Sequence, residues 1–564
     1  MNRFFQSLPI LGGESLSQVE RSIRLQLLPT LGDQVPASQV DRLAALGTTV
    51  FSWDGLPPIP DMLFAPTIAY GLGSRTCLVE DGTSEDNDPA TAFLFQMLPI
   101  WACCEAGSPN LHDWAQASLG KYRVYTLSAG VWSKLEAAMQ RMSTSRNAQA
   151  AVFARSASYM GSKAALSPQL CEIVHEFDSP DTVVFDLMCG SGAMSGAFSK
   201  RWETSASDAQ EFSRLLARVQ SGGMTKSRAT ALADTVLDSA RSRFEAMPPS
   251  LEEDVAKEDA FIHRELTPTV MEDLVRWLER FDEVHSEAER TAESLTSARD
   301  EWHLFTTLYA NLFFGVRQAY EIDCLRFGVD TLADAKEREW ALGALICAVS
   351  QCAFSYGGHF AQPKLDVARA ENVRAMAEEM LQKRSLSVSH EFYSRLISLA
   401  IESESTANEV KLVAGPWQRA LDELQASIAD RPVCVYLDPP YTRDEYSRYY
   451  HLLETMVCYQ SGPVSGKGRL PQRGSPNRFA STFNSRSQAL VEDEIASIIR
   501  ACLSRGWSCL WSYSSSGMVS MTNTLAKVGA ELRSVELFSM DHTYKIQGKH
   551  KPKHVTEYAM HLHG

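Results

Sequence analysis

The stretch that decides the fold reads Thr182-Val-Val-Phe-Asp-Leu-Met-Cys-Gly-Ser-Gly192. Its residues up to Leu187 form a largely apolar run, which is typical of a buried strand. Two glycines follow, and the small residues from Ala193 to Lys200 then read as a helix. Strand, glycine turn and helix in this order predict an α/β fold with a parallel sheet.

Further strands are predicted later in the chain. An apolar run over Pro432–Leu437 ends in Asp438-Pro-Pro-Tyr441, and another covers Trp507–Tyr513. Leu532–Phe538 and Val555–Leu562 are expected to form a terminal antiparallel pair. The α/β pattern therefore resumes after a long interruption.

The chain divides into four predicted segments, which form three domains. Residues 216–424 are rich in Glu, Ala, Arg and Leu at helical spacing, as in Val270–Leu278 and Trp340–Cys347, and they predict a mainly helical insertion. The segments 151–215 and 425–564 would together form the α/β domain, and residues 1–150 an extra N-terminal domain of unknown role. A length of 564 residues agrees, because it predicts about two to four domains.

Composition narrows the class of protein. Hydrophobic residues make up 45% of the chain and charged residues 22%, as in soluble globular proteins. No apolar run is long enough to cross a bilayer and the N-terminus lacks a signal-peptide core, so we expect a cytoplasmic protein without a membrane partner. The 12 cysteines form no C-x-x-C pair, and neither a metal nor a disulfide framework is expected.

The glycine turn indicates a nucleotide-like ligand. Asp186 precedes Gly190 and Gly192, and the third glycine, Gly196, falls one residue later than in the dinucleotide pattern G-x-G-x-x-G. This spacing favours an adenosine ligand without a pyrophosphate. Asp208 lies where a carboxylate could accept hydrogen bonds from ribose hydroxyls, although a helix cap is an alternative role.

The sharper motif is Asp438-Pro439-Pro440-Tyr441. Two prolines after a buried strand make the loop rigid and leave its carbonyls free to accept hydrogen bonds. An amino group could donate to the Asp438 carboxylate and the Pro439 carbonyl, while the Tyr441 ring offers a face for stacking a flipped base. Such a pocket would orient the nitrogen lone pair toward a methyl donor by positioning and electrostatics, without a metal.

With these motifs the chain resembles the Dam-like N6-adenine DNA methyltransferases. The resemblance covers roughly residues 158–215 and 430–562, under half of the chain, and its motifs occur in the order of that family. They are Tyr159-Met-Gly-Ser-Lys163, Phe185-Asp-Leu-Met-Cys-Gly-Ser-Gly192, Ser207-Asp208, Asp438-Pro-Pro-Tyr441, Leu510-Trp-Ser-Tyr513 and Thr556-Glu557-Tyr558.

The resemblance implies a Rossmann-like methyltransferase sheet that binds S-adenosylmethionine. Tyr159 and Lys163 would lie at the methionine end of the cofactor, and Asp208 at its ribose. The turn from Gly190 to Gly192 would contact the cofactor backbone, with Asp186 and Met188 assigned to the same site. Asp438, Pro439, Pro440 and Tyr441 would hold the target adenine.

One segment departs from the family pattern. The family usually carries an acidic or amide residue, before the catalytic strand, that contacts the cofactor's adenine. The matching segment here is Lys411-Leu-Val-Ala-Gly-Pro-Trp417. Trp417 stacking on the purine would be one substitute, and a buried structural tryptophan is equally compatible.

Candidate substrate-binding residues surround the catalytic motif. The family places target recognition between the two motif groups, where Ser355–Gln362, with His359, either lines the cleft or forms a structural turn. Arg443, Tyr446, Arg448 and Tyr449 could hold flanking phosphates and bases.

A basic loop follows the catalytic motif. The chain has no acidic residue between Thr455 and Val491, but it has Lys467, Arg469, Arg473, Arg478 and Arg486. The loop, including Arg473 and Arg478, would close over nucleic acid or would simply be a solvated surface. Since the net charge is −15, any contact with phosphates depends on such local clusters.

The sequence therefore predicts a site-specific adenine N6-methyltransferase that uses S-adenosylmethionine and flips its target base out of double-stranded DNA. Partner proteins from a restriction or phage-defence system are a further expectation. An RNA or protein methyltransferase with the same fold stays open, as does a catalytically silent scaffold that binds nucleic acid. The glycine spacing disfavours a nicotinamide oxidoreductase.

Overall fold

The structure is a computed structural model. It describes residues 162–284, 291–355, 359–363, 372–403, 408–428, 430–466, 468–475, 477–544 and 553–564, with strands and isolated helical positions between 6 and 138. The chain forms two compact units. A terminal unit combines Met1–Ala148, Ser487–Thr543 and His554–Gly564, and a central unit combines Gln149–Arg486 with Tyr544–Lys553.

The terminal unit begins with an antiparallel sheet. Its strand order is β1-β2-β3-β4-β6-β5, and every neighbouring pair is antiparallel. The strands are β1 (Gln6–Ser7), β2 (Val50–Ser52), β3 (Ile68–Leu72), β4 (Ser74–Glu80), β5 (Ala117–Leu119) and β6 (Tyr122–Leu127).

The central unit contains a parallel sheet of strand order β10-β7-β8-β9, in which β9 covers Lys411–Val413 and β10 covers Val433–Leu437. The first strands and helices along the chain are α1 (Ser167–Phe177), β7 (Val183–Asp186), α2 (Ala193–Phe198), β8 (Thr204–Ser207) and α3 (Glu211–Arg218). The predicted strands at 182–187 and 432–437 and the predicted parallel sheet are thus confirmed. The arrangement is compatible with a Rossmann-like fold.

A helical region follows α3. It consists of α4 (Lys226–Phe244), α5 (Pro249–Ile262), α6 (Pro268–Val284), α7 (Ala292–Asp300), α8 (Leu304–Tyr309), α9 (Val316–Asp330), α10 (Ala335–Cys352), α11 (Val373–Arg384) and α12 (Val388–Ser403). The predicted helices at 270–278 and 340–347 lie within α6 and α10. Some of these helices are capped at the N-terminus by a neighbouring side chain. Asp334, for example, accepts hydrogen bonds from the first N–H groups of α10.

The chain then returns to the sheet through β9 (Lys411–Val413), α13 (Trp417–Ile428) and β10 (Val433–Leu437). It continues through α14 (Tyr446–Tyr449), α15 (His451–Cys458) and a small hairpin of β11 (Val464–Ser465) and β12 (Leu470–Pro471). One hydrophobic core extends from Phe212 in α3 through the helical region to Val464. Because this core is continuous, the helical region belongs to the same unit as the parallel sheet.

Four buried carboxylates join the helices of this unit. Each accepts hydrogen bonds from the first backbone N–H groups of another helix, which no turn of that helix can satisfy. Glu258 bonds the start of α9, Glu321 that of α12, Asp323 that of α8 and Glu454 that of α3. Glu258 also pairs with buried Arg384 at 3.1 Å.

The end of the chain belongs to the terminal unit. Its elements are α16 (Gln488–Leu503), β13 (Ser508–Ser514), α17 (Met521–Val528), β14 (Ser534–Tyr544) and β15 (Lys553–His563). Strand order is β14-β15-β13, and β13 pairs with β15 in antiparallel register. The three strands predicted here are therefore present.

Contacts within the terminal unit tie the N-terminal segment to β14. The Trp101 indole donates to the Val535 carbonyl at 2.9 Å, and Lys134 pairs with Glu536. The sequence had placed residues 1–150 and 425–564 in different domains, whereas these contacts join parts of both. Among the helices that the structure describes, none combines the length and apolar character needed to span a membrane.

Candidate functional site

The candidate site lies at the carboxyl edge of the parallel sheet. Strands β7, β8 and β9 follow one another in one direction, and β10 pairs on the opposite side of β7. The strand order therefore reverses between β7 and β10, and such a switch point is where open α/β sheets bind ligands. The glycine turn follows β7 and the Asp438 motif follows β10, so the two predicted motifs flank the switch point.

The glycine turn has a backbone that only glycine adopts readily. Gly190 has φ +49° and Gly192 has φ +74°. A Cβ atom at Gly192 would lie 2.5 Å from the Ala217 Cα atom, so α3 also packs too closely for a side chain. The Gln220 amide donates to the Ser191 carbonyl at 2.7 Å and fixes the turn further.

Asp208 stabilises this turn. Its Oδ2 atom accepts a hydrogen bond from the Gly190 N–H at 3.0 Å, and Oδ1 accepts one from the Gln210 N–H at 3.0 Å. Burial raises the pKa of Asp208, and these hydrogen bonds oppose that shift. A carboxylate has about four acceptor positions, so both oxygens can still accept a further donor. The alternative role as a helix cap is not found, because the N-cap residue of α3 is Gln210 and Asp208 accepts a hydrogen bond from the N–H of that residue.

Asp186 ends β7 and is 1% exposed. The Ser195 hydroxyl donates to its Oδ2 atom at 2.5 Å, while Oδ1 has no hydrogen-bond partner among the described residues. Burial raises the pKa of Asp186 to about 7; the Ser195 bond opposes this shift, and the nearby Asp438 and Asp208 carboxylates add to it. An unpaired buried oxygen is unfavourable in the absence of a ligand and often marks a functional position.

Asp438 is held by two side chains. Its Oδ1 atom accepts the Tyr441 hydroxyl at 2.6 Å, and its Oδ2 atom lies 3.1 Å from the Lys163 Nζ atom. The same ammonium lies 4.4 Å from the centroid of the Tyr441 ring. Pro439 is buried. The sequence analysis assigned Lys163 to the methionine end of a cofactor; in the structure its ammonium contacts the Asp438 carboxylate.

The segment after the motif packs against the helical region. The His359 and Tyr449 rings lie 4.5 Å apart, and the Tyr449 hydroxyl donates to Asp444 at 2.8 Å. Burial lowers the pKa of His359, and the positive charge of Arg448 lowers it further. The structure therefore brings together His359 and the residues predicted to contact flanking nucleotides.

Two neighbouring residues of this segment differ in exposure. Tyr446 is partly buried beside the main core and burial raises its pKa, whereas Arg443 is exposed. Arg443 is therefore accessible to a substrate from solvent, while the Tyr446 hydroxyl stays protonated.

Several arginines of the basic loop already bond to groups within the protein, so fewer are available to contact phosphates than the composition of the loop suggested. Arg478 is 15% exposed and donates to both oxygens of Glu445, at 3.1 and 3.2 Å. Arg473 reaches the same carboxylate at 3.2 Å but is 73% exposed. Buried Arg469 donates to the Leu308 carbonyl at the end of α8. Sequence reasoning missed Glu445, because nothing in its local pattern signals this role.

Two cofactor candidates remain at the edge of the site. Trp417 is the first residue of α13, which follows the carboxyl end of β9, and its side chain is partly buried. Met188 lies in the turn after β7 and is also partly buried. Tyr159, the central residues 356–358 of the Ser355–Gln362 segment, and Lys467 lie outside the described residues.

Ser195 and Gln220 support the site but were not predicted. Ser195 bonds Asp186 and Gln220 bonds the glycine turn. Both lie on or just after helices, and polar residues of this kind occur at many helical positions without a special role.

Comparison of the chain with protein-family models and with curated proteins found no match.

Proposed function

We propose that this protein is an S-adenosylmethionine-dependent methyltransferase that acts on the N6 amino group of adenine in DNA. The observation that carries the proposal is the strand order: the glycine turn and the Asp438 loop follow adjacent strands on either side of the switch point. A donor bound on the turn and an amino group held by the loop would therefore be neighbours.

The residues at the turn fit a positively charged adenosine ligand. The carboxylates of Asp208 and Asp438 lie close enough to Asp186 to raise its pKa. This acidic surrounding favours a cation, and the unpaired Oδ1 atom of Asp186 offers an acceptor. S-adenosylmethionine carries an activated methyl group on a positively charged sulfur. The backbone from Gly190 to Gly192, Asp208, Met188 and Trp417 would hold it.

The Asp438 loop fits an amino group as acceptor. Each oxygen of Asp438 already accepts one donor and retains a second lone pair for an N–H group. Because Lys163 covers one face of the Tyr441 ring, a flipped adenine would stack on the opposite face. The loop holds the amino group in place, and the proton lost on methylation passes to Asp438 or to water.

RNA or protein remains the alternative substrate. The carboxylate of Glu445 already engages Arg478 and Arg473, which leaves fewer arginines available for phosphates than the sequence suggested. The pocket for the amino group would be the same in either case. We expect partner proteins from a restriction or phage-defence system only if the substrate is DNA.

The test is methyl transfer by the wild-type protein and by Asp438→Ala. Tritium transfer to duplex DNA, RNA and protein is measured in parallel, and sequencing for N6-methyladenine gives the target site. Asp438→Ala should lose about 10²-fold or more of the rate while calorimetric binding of S-adenosylmethionine persists. Asp430→Ala, an exposed position at the other end of β10, is the control. A wild-type rate for Asp438→Ala would disprove the catalytic assignment.

A further inference from the structure

Lys163 is buried to an unusual degree for a lysine. Its side chain is 3% exposed, although lysine is among the residues least often buried. It precedes α1 in a short turn, in which the Leu166 N–H donates to the Lys163 carbonyl. An ammonium group at such a depth needs a negative partner, because removing its charge from water is costly. Asp438, 3.1 Å away, provides that partner.

The pairing fixes the orientation of the Asp438 carboxylate. Lys163 engages one oxygen and the Tyr441 hydroxyl engages the other, so rotation of the carboxylate would break one of the two bonds. The ammonium also lies over the Tyr441 ring, where a cation is attracted to the face. These three side chains therefore form a connected group, which we call the Asp438 clamp: Lys163, Asp438 and Tyr441.

We propose that Lys163 is a positioning residue for the methyl acceptor. This inference rests on the proposed function and changes the role that the sequence indicated, which was contact with the cofactor. The clamp fixes the Asp438 carboxylate and aims its remaining lone pairs at the substrate amino group. Lys163 acts through Asp438 and needs no contact with substrate or cofactor, and it adds no covalent step to the transfer.

The two roles of Lys163 predict different kinetics. A positioning role predicts that Lys163→Met lowers kcat at saturating cofactor by about 10-fold or more, while the Kd of S-adenosylmethionine stays within about threefold. Lys163→Arg should restore part of kcat because it retains the cation. Since both residues act through one carboxylate, Lys163→Met combined with Tyr441→Phe should lose less than the product of the single losses.

The matched control is Lys257→Met. Lys257 forms an ion pair with Glu253 at 2.8 Å within α5, but its side chain is 45% exposed and belongs to none of the segments assigned to the site. Its replacement should change neither kcat nor the Kd of the cofactor. Calorimetric binding also shows that each variant is folded.

Several outcomes would overturn the inference. An unchanged kcat in Lys163→Met would do so, as would a Kd for S-adenosylmethionine raised more than 10-fold with kcat preserved, which would support the cofactor role. These results leave the proposed function standing as long as the wild type transfers methyl groups. If the wild type binds cofactor but methylates no acceptor, the proposed function fails instead, and the positioning role fails with it.

Discussion

Replacing Asp186 with asparagine should stabilise the protein at neutral and alkaline pH. Burial raises the pKa of this side chain from 3.8 to about 7, so the folded protein retains its proton over a range in which the unfolded chain has lost it. The free energy of unfolding therefore falls as pH rises from about 4 to about 7. A shift of about three pKa units corresponds to up to about 4 kcal/mol, at 1.36 kcal/mol per unit.

The assay is urea unfolding of wild type and Asp186→Asn at several pH values between 4 and 8. Asparagine stays neutral and can still accept the Ser195 hydroxyl, so the two proteins should be similar near pH 4 and diverge as pH rises. Asp181→Asn, an exposed position just before the same strand, should show no such divergence. If Asp186→Asn is instead less stable than wild type at pH 8, the carboxylate is stabilised by its surroundings and the reasoning is refuted.

Three further predictions concern packing and charge. Gly192→Ala should lower the free energy of unfolding by more than about 2 kcal/mol in urea, because backbone strain at positive φ and the close contact with α3 both destabilise the folded state. Gly506 also has positive φ but has open space around its Cβ position, so Gly506→Ala should cost less. Glu258→Ala should cost about 3–5 kcal/mol in the same assay, since it leaves a buried arginine unpaired; a smaller loss would mean that water reaches that arginine. Arg478→Ala should lower the melting temperature with little change in DNA affinity, because its guanidinium already bonds Glu445, and the reverse pattern in melting and filter-binding assays would assign it to substrate.

Local patterns were sufficient for β7 and β10 of the parallel sheet and for the turns that follow them, whereas β8 and β9 were not predicted. The apolar run before Asp186 is short and contains two valines, which favoured a buried strand, and the two glycines after it indicated a tight turn. The prolines after Asp438 likewise marked the end of a strand. In each case the decisive residues are neighbours in the chain, which is why the sequence revealed them.

Contacts between distant segments were not predictable in this way. The sequence placed Lys163 with the cofactor and Arg478 with the substrate, yet each pairs with a carboxylate far along the chain. The partner of a charge depends on how the elements pack, and a single sequence does not encode that packing locally. The same reason explains why the end of the chain shares a unit with the N-terminal strands.

In the helical region, the N-terminus of one helix often depends on a carboxylate of another helix, and this limits how the region could be re-engineered. The carboxylates are those of Glu258, Glu321, Asp323 and Glu454. A helix excised from it would leave bare N–H groups on its neighbour, or would lose the acceptor for its own first turn. Chimeras that exchange single helices between homologous proteins should therefore misfold unless the matching carboxylate travels with its recipient. The practical unit of transplantation is the pair of helices.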